Sequence, residues 1–139
     1  MENDMEEIVQ KGLDLLKRTD TIQVASVSPA GYPRVCAVRR LKADGFGEIY
    51  FSTSTSSVKA RHFISNPKAG LSFNDENDSV SLVGKVEIVM DLKTKKDCFE
   101  DWMINHFKGG ADDPDYCLLR FKAEIGTFYI GGEFETVEL

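Results

Sequence analysis

The 139 residues contain only two histidines and three cysteines, and no two of the cysteines form a Cys-x-x-Cys pair. Cys36, Cys98 and Cys117 are odd in number and far apart, which argues against a disulfide framework and against a zinc site. Each lies within an apolar pattern and reads as a small buried hydrophobe. His62 and His106 lack a second ligand at i+3 or i+4, so no metal is assigned. Basic runs are as scarce, since no Lys/Arg cluster exceeds pairs such as Arg39-Arg40 and Lys95-Lys96, and the net charge is −6. That leaves no electrostatic footprint for nucleic acid or an anionic membrane, and an anionic ligand would need a local pocket. Without a long apolar run or a basic leader, neither a membrane span nor a secretory signal is expected, and the default location is the cytoplasm. There is also no repeat, linker or low-complexity block, so residues 1–139 are read as one domain.

What the chain does have is β patterning. After an amphipathic helix over 1–18, with Ile8, Val9, Gly12, Leu13 and Leu16 at helical spacing, the period changes. Thr21 to Ser28 and Arg34 to Leu41 read as strands joined by the turn Pro29-Ala30-Gly31, and Ala43 to Gly47 turns into a third strand, Glu48 to Thr53. Gly45-x-Gly47 is no dinucleotide fingerprint, because Tyr50 replaces the third glycine. Lys68 to Asn74 is a fourth strand. A long fifth carries Val80, Leu82, Gly84, Val86, Ile88 and Met90 in alternation, with Gly84 predicting a bulge or bend. Asp91 caps a helix expected to run towards Phe107, whose aromatic stripe (Phe99, Trp102, Phe107) reads as core. A last strand runs from Cys117 to Ile130. The expected fold is mainly β with peripheral helices, about six antiparallel strands in a Greek-key barrel.

One stretch points to chemistry. In Ile49-Tyr50-Phe51-Ser52-Thr53-Ser54-Thr55-Ser56-Ser57-Val58-Lys59 a β-prone run breaks into hydroxyls and then a lysine. Helix-compatible residues follow until Asn66-Pro67, so the hydroxyls should sit between a strand end and a helix N-terminus. Free N–H groups, the positive end of the helix dipole, hydroxyls and an ammonium together suit a phosphate dianion. An ordinary N-cap beside a solvated lysine accounts for the same residues. No catalytic triad or working carboxylate pair is found, and Glu6-Glu7 and Asp112-Asp113 read as helix-start acids.

Gly31-x-Pro33-Arg34-Val35, Phe51-x-Thr53-x-x-x-Ser57-x-Lys59, Asn66-Pro67, Gly84 and Gly109-Gly110-x-Asp112-Asp113-Pro114 occur in this order. The series resembles the pyridoxamine 5′-phosphate oxidase-like flavoproteins, most closely their short general-stress-protein branch. The resemblance implies a split-barrel homodimer holding FMN at the subunit interface. The segment that lies along the flavin in that family maps to Arg34, Val35, Cys36, Ala37, Val38 and Arg39. Thr53 takes the position of a flavin-contacting threonine, with Ser52 before it, and Ser57 and Lys59 match phosphate-binding positions. Ser79 or Ser81 would fill the place of a polar residue given across the interface, and Tyr129 falls near a flavin-flanking tryptophan.

The resemblance has gaps. Val58 stands where the oxidases carry a second basic phosphate ligand, which Arg39 or Arg40 would have to replace. The Tyr/Arg/Ser substrate set and the C-terminal Arg/His segment are not found, so oxidation of pyridoxamine phosphate itself is not expected. The implied function is an FMN-dependent oxidoreductase, with NAD(P)H or a small molecule as the other reactant. Two alternatives stand beside it: a flavin-binding stress protein without turnover, and a split barrel that holds another planar ligand such as haem. Such chemistry resides in the cofactor, which explains the lack of acid–base machinery.

Overall fold

The computed structural model describes residues 2–139. Met1, which the helix expectation included, lies outside the described residues. Helix α1 (Glu2–Lys17) buries Ile8, Leu15 and Leu16 against the sheet. Gly12 faces Phe128 so closely that a Cβ there would come within 2.6 Å of the ring, so the glycine sets how near the helix approaches. Among the described residues no helix is long and apolar enough to cross a membrane.

Strands β1 (Thr21–Val27), β2 (Pro33–Arg39), β3 (Ala43–Asp44), β4 (Glu48–Ser54), β5 (Lys68–Asn74), β6 (Ser79–Val89), β7 (Tyr116–Ile130) and β8 (Glu133–Glu138) form one antiparallel sheet. Its order is β2-β1-β5-β6-β7-β4-β3, with β8 on β7. The two ends of that order are consecutive in the chain. After pairing with β1, the chain bends at Arg40, and Leu41 N–H then donates to the Tyr50 carbonyl at 2.8 Å while Tyr50 N–H donates to that of Lys42 at 3.0 Å. The sheet therefore curls until its ends are joined covalently. Core side chains fill the inside, among them Ile22, Val24, Phe51, Phe73, Leu82, Phe121 and Phe128.

The mainly β, split-barrel expectation holds, but the strand count is eight rather than six. The six expected strands are present, with β3 as the continuation of the bent second one. Strand β8 is the addition. Gly131 and Gly132 have φ of +60° and +79°, the backbone of a type I′ hairpin, and Ile130 pairs with Glu133 across them. The bend expected at Gly84 is a register shift between Val83 and Gly84, where a Cβ would overlap the Lys122 carbonyl oxygen.

Two short helices complete the chain. Helix α2 (Val58–Ser65) follows β4. Helix α3 (Leu92–Cys98) starts as expected, with the Asp91 carboxylate accepting the Thr94 N–H at 3.0 Å, but it stops at Phe99 instead of running to Phe107. Asp97, Glu100 and Asp101 oppose the negative end of the helix dipole there, and residues Asp101–Asn105 tighten into a 3-10 segment. That segment packs on a second core of Leu41, Tyr50, Met103, Phe107, Tyr116 and Leu118.

Candidate functional site

Strand β4 ends in the hydroxyl run and α2 begins immediately after it, as the sequence predicts. Ser57 is the N-cap of α2, and its Oγ accepts the Ala60 N–H at 3.1 Å. Thr53 Oγ1 donates to Ser57 Oγ at 2.8 Å, and Lys59 Nζ donates to Thr53 Oγ1 at 3.3 Å. Three of the named residues thus form one cluster, in which the lysine is drawn back over the strand end. Among the described residues Lys59 makes no ion pair.

The cluster opens on a cavity of about 400 Å³ lined by Ala37, Val38 and Arg39 of β2, Ser52, Thr53 and Ser54 of β4, Lys59, Asp115, and Trp102, His106 and Phe107. That volume lies in the range of small-molecule sites, roughly 300–1,000 Å³. The structure brings six of the thirteen sequence-predicted residues to its wall: Ala37, Val38, Arg39, Ser52, Thr53 and Lys59. Ser57 touches it only through Thr53. Arg34 and Val35 are exposed on β2 and Cys36 is half-buried there, but none of the three is on this wall. Ser79, Ser81 and Tyr129 lie apart from it within one protomer. They sit on the outer face of the sheet, where Ser79 is opposite Tyr129 in register and the Tyr129 and Phe134 rings are 5.9 Å apart.

The aromatic stripe packs in and against the second core as the sequence predicts, but it also supplies a cavity wall that the sequence did not reveal. Met103 and Phe107 are buried as expected, but Trp102 is half-buried and faces the cavity. Its Nε1–H donates to Glu100 Oε1 at 2.8 Å, which fixes the ring, and the Arg39 guanidinium carbon lies 5.4 Å from the ring centroid, a cation–π distance. Of the two arginines considered as replacements for a base at position 58, only Arg39 is available. Arg40 donates to the carbonyls of Thr19 at 3.2 Å, Leu41 at 2.9 Å and Lys17 at 3.3 Å. Helical spacing marked Trp102 as core, against which it does pack, but assumed a continuous helix and so missed the face it turns to the cavity.

Asp115 was also missed. Its Oδ1 accepts the Ser54 hydroxyl at 2.7 Å and the Thr55 hydroxyl at 3.0 Å, and its carbonyl accepts the Thr55 N–H at 2.9 Å. The run of hydroxyls is therefore not uniform: Ser54 and Thr55 are committed to a carboxylate. Asp115 is in turn held by Asp113, whose carboxylate accepts the N–H groups of Asp115 and Gly109, and these bonds keep the Asp113 carboxyl below the usual carboxylate range. Beneath the seat, burial pushes the Cys117 thiol up to about 11, and Cys117 Sγ–H donates to the Thr53 carbonyl at 3.4 Å.

A curled antiparallel sheet with a hydroxyl-and-lysine seat at the mouth of an aromatic-walled cavity defines a split-barrel protein. Residues 8–129 match the family described as pyridoxamine 5′-phosphate oxidase, and the chain belongs to that family. It is 32% identical, over 96% of both chains and with a TM-score of 0.85, to a Clostridium acetobutylicum protein related to general stress protein 26 of the pyridoxinephosphate oxidase family. General stress protein 26 of Bacillus anthracis shares the fold at 16% identity, 97% of this chain and 98% of that chain, with a TM-score of 0.80. A haem-binding protein of Mycobacterium smegmatis shares it at 14% identity, covering 94% of this chain and 57% of that chain, with a TM-score of 0.75. No curated protein matches.

Proposed function

We propose that the cavity holds FMN at the interface of a homodimer, and that the protein is an FMN-dependent oxidoreductase. The observation that carries this reading is Lys59: an ammonium without an ion-pair partner among the described residues, at the N-terminus of α2, beside Thr53 and Ser57, on a cavity with an aromatic far wall. The donor set fits a phosphate, and the wall of Val38, Trp102 and Phe107 fits a planar ring. Bound flavin would supply hydride or electron transfer, with NAD(P)H or a small molecule as the other reactant. The chain would do the rest. Lys59, Ser57 and the first N–H groups of α2 hold the phosphate, Ala37, Val38 and Arg39 of β2 run along the ligand, and Trp102 limits water. Ser79, Ser81 and Tyr129 would be given by the second copy.

The outer sheet face supports the dimer. Val35, Ala25, Gly70, Val83 and Ile125 are opposite one another in register across β2, β1, β5, β6 and β7, forming a small-apolar row. Val35 is 64% exposed, Val83 51% and Ile125 41%, which is costly for a face left in water.

The test is the absorbance spectrum and mass of the copurifying ligand, followed by titration of FMN and riboflavin into the wild type and Lys59→Ala. Loss of one charge-assisted bond should weaken FMN about ten- to hundredfold and leave riboflavin unchanged. Equal losses for both flavins would place the phosphate elsewhere. Flavin binding without steady-state reduction by NAD(P)H would instead favour a binding protein. His106 on the cavity wall favours haem as the second reading, for which the spectrum would show a Soret band in place of flavin bands.

A further inference from the structure

We propose that Asp115 sets the site's preference between phosphorylated and unphosphorylated flavin, by opposing the phosphate that Lys59 attracts. The inference rests on the FMN reading. Asp115 and Lys59 line the same cavity, with Arg39 the other base on its wall, so a negative side chain stands beside the seat where a dianion would lie. Val58 leaves the start of α2 without a second base, Arg40 is tied to three carbonyls and the Arg39 guanidinium lies over the Trp102 ring, so Lys59 is the base beside Thr53. Asp115 also acts through the hydroxyls. A carboxylate only accepts, so the protons of Ser54 Oγ and Thr55 Oγ1 point at Asp115 Oδ1 and are not offered to a phosphate. The hydroxyls of Ser54 and Thr55 thereby drop out, and Lys59, Ser52, the Ser57 cap and backbone N–H groups remain as the anchoring donors. A phosphate in this seat would be held loosely enough to exchange, and neutral riboflavin would lose little by comparison.

The prediction is a gain of function, which a merely damaging change cannot mimic. Asp115→Asn keeps the Oδ1 acceptor of both hydroxyls and removes the charge, and should tighten FMN by about three- to tenfold while leaving riboflavin within about twofold. Asp115→Glu, which keeps the charge, should retain the wild-type ratio of the two affinities. Raising the salt concentration should shrink the gap between Asp115→Asn and wild type. Fluorescence quenching by FMN and riboflavin, with the melting temperature of each variant, reads all of this. Asp115→Ser serves as the neutral variant should Asp115→Asn fail to fold. An unchanged or weakened FMN affinity in a folded neutral variant, or equal tightening of both flavins, would overturn the role of Asp115 while the FMN reading stands. Wild-type protein that binds neither flavin would overturn both.

Discussion

At the scale of single residues, the cysteines give the sharpest contrast. Cys36 is half-buried on β2, while Cys98 and Cys117 are buried, and burial raises both of their thiols. A thiol reagent at pH 8 should therefore modify Cys36 first and reach the other two only on unfolding. The same shift has a consequence for alkaline stability. Cys117 moves from an ordinary 9.0 to about 11 in the folded protein, so above pH 9 the unfolded chain sheds a proton that the folded one keeps. The stabilisation from that thiol is complete below pH 9 and is lost as pH rises towards 11. Burial pushes the Tyr116 phenol up as well, so it adds in the same direction. Thermal melts should fall through this window, and replacing Cys117 with Ala should flatten part of the fall. Gly84 is the other decisive position. Its missing side chain lets β6 pass the Lys122 carbonyl, and Gly84→Ala should destabilise by at least about 2 kcal/mol in denaturant titration.

At the scale of elements, α2 is held by its N-cap and carries the seat with it. Ser57→Ala removes the cap bond to Ala60 N–H and the acceptor for Thr53, so it should destabilise by about 1 kcal/mol and weaken FMN more than riboflavin. This element was legible because its signals are local: hydroxyls, then helix formers, then Asn-Pro. The strands were legible for the same reason, since period-2 alternation survives wherever one face is buried. Two elements were not. Strand β8 reads Glu-Phe-Glu-Thr-Val-Glu, with no continuous apolar face, although Gly131-Gly132 before it is a hairpin signal that could have revealed it. The break after α3 depends on acids at a helix C-terminus, a weak cue against an aromatic stripe at helical spacing. That error hid Trp102 and His106 from the cavity wall. Asp115 was hidden for a different reason. Its partners, Ser54 and Thr55, are some sixty residues away, and only the pairing of β4 with β7 brings them together.

At the scale of the whole molecule, the apolar row over five strands calls for cover. Val83→Glu or Ile125→Glu should shift sedimentation from dimer to monomer at micromolar concentration, and flavin affinity should fall with it if Ser79, Ser81 and Tyr129 act from the second copy. A wild-type monomer would count against that arrangement. The role of β7 has another consequence. It pairs with β6 along nearly its whole length, with β4 through its first half and with β8 through its second. It also follows β4 and β6 in the chain, so during synthesis both of those strands leave the ribosome with an open edge and wait for the strand that belongs between them. Until residue 130 has emerged, β1, β2, β5 and β6 can pair but β4 has only the two-residue β3 beside it, so the sheet cannot close and Asp115 is not fixed against the seat. Nascent chains stalled before that point should be protease-sensitive and should recruit chaperones, and those that have passed it should not.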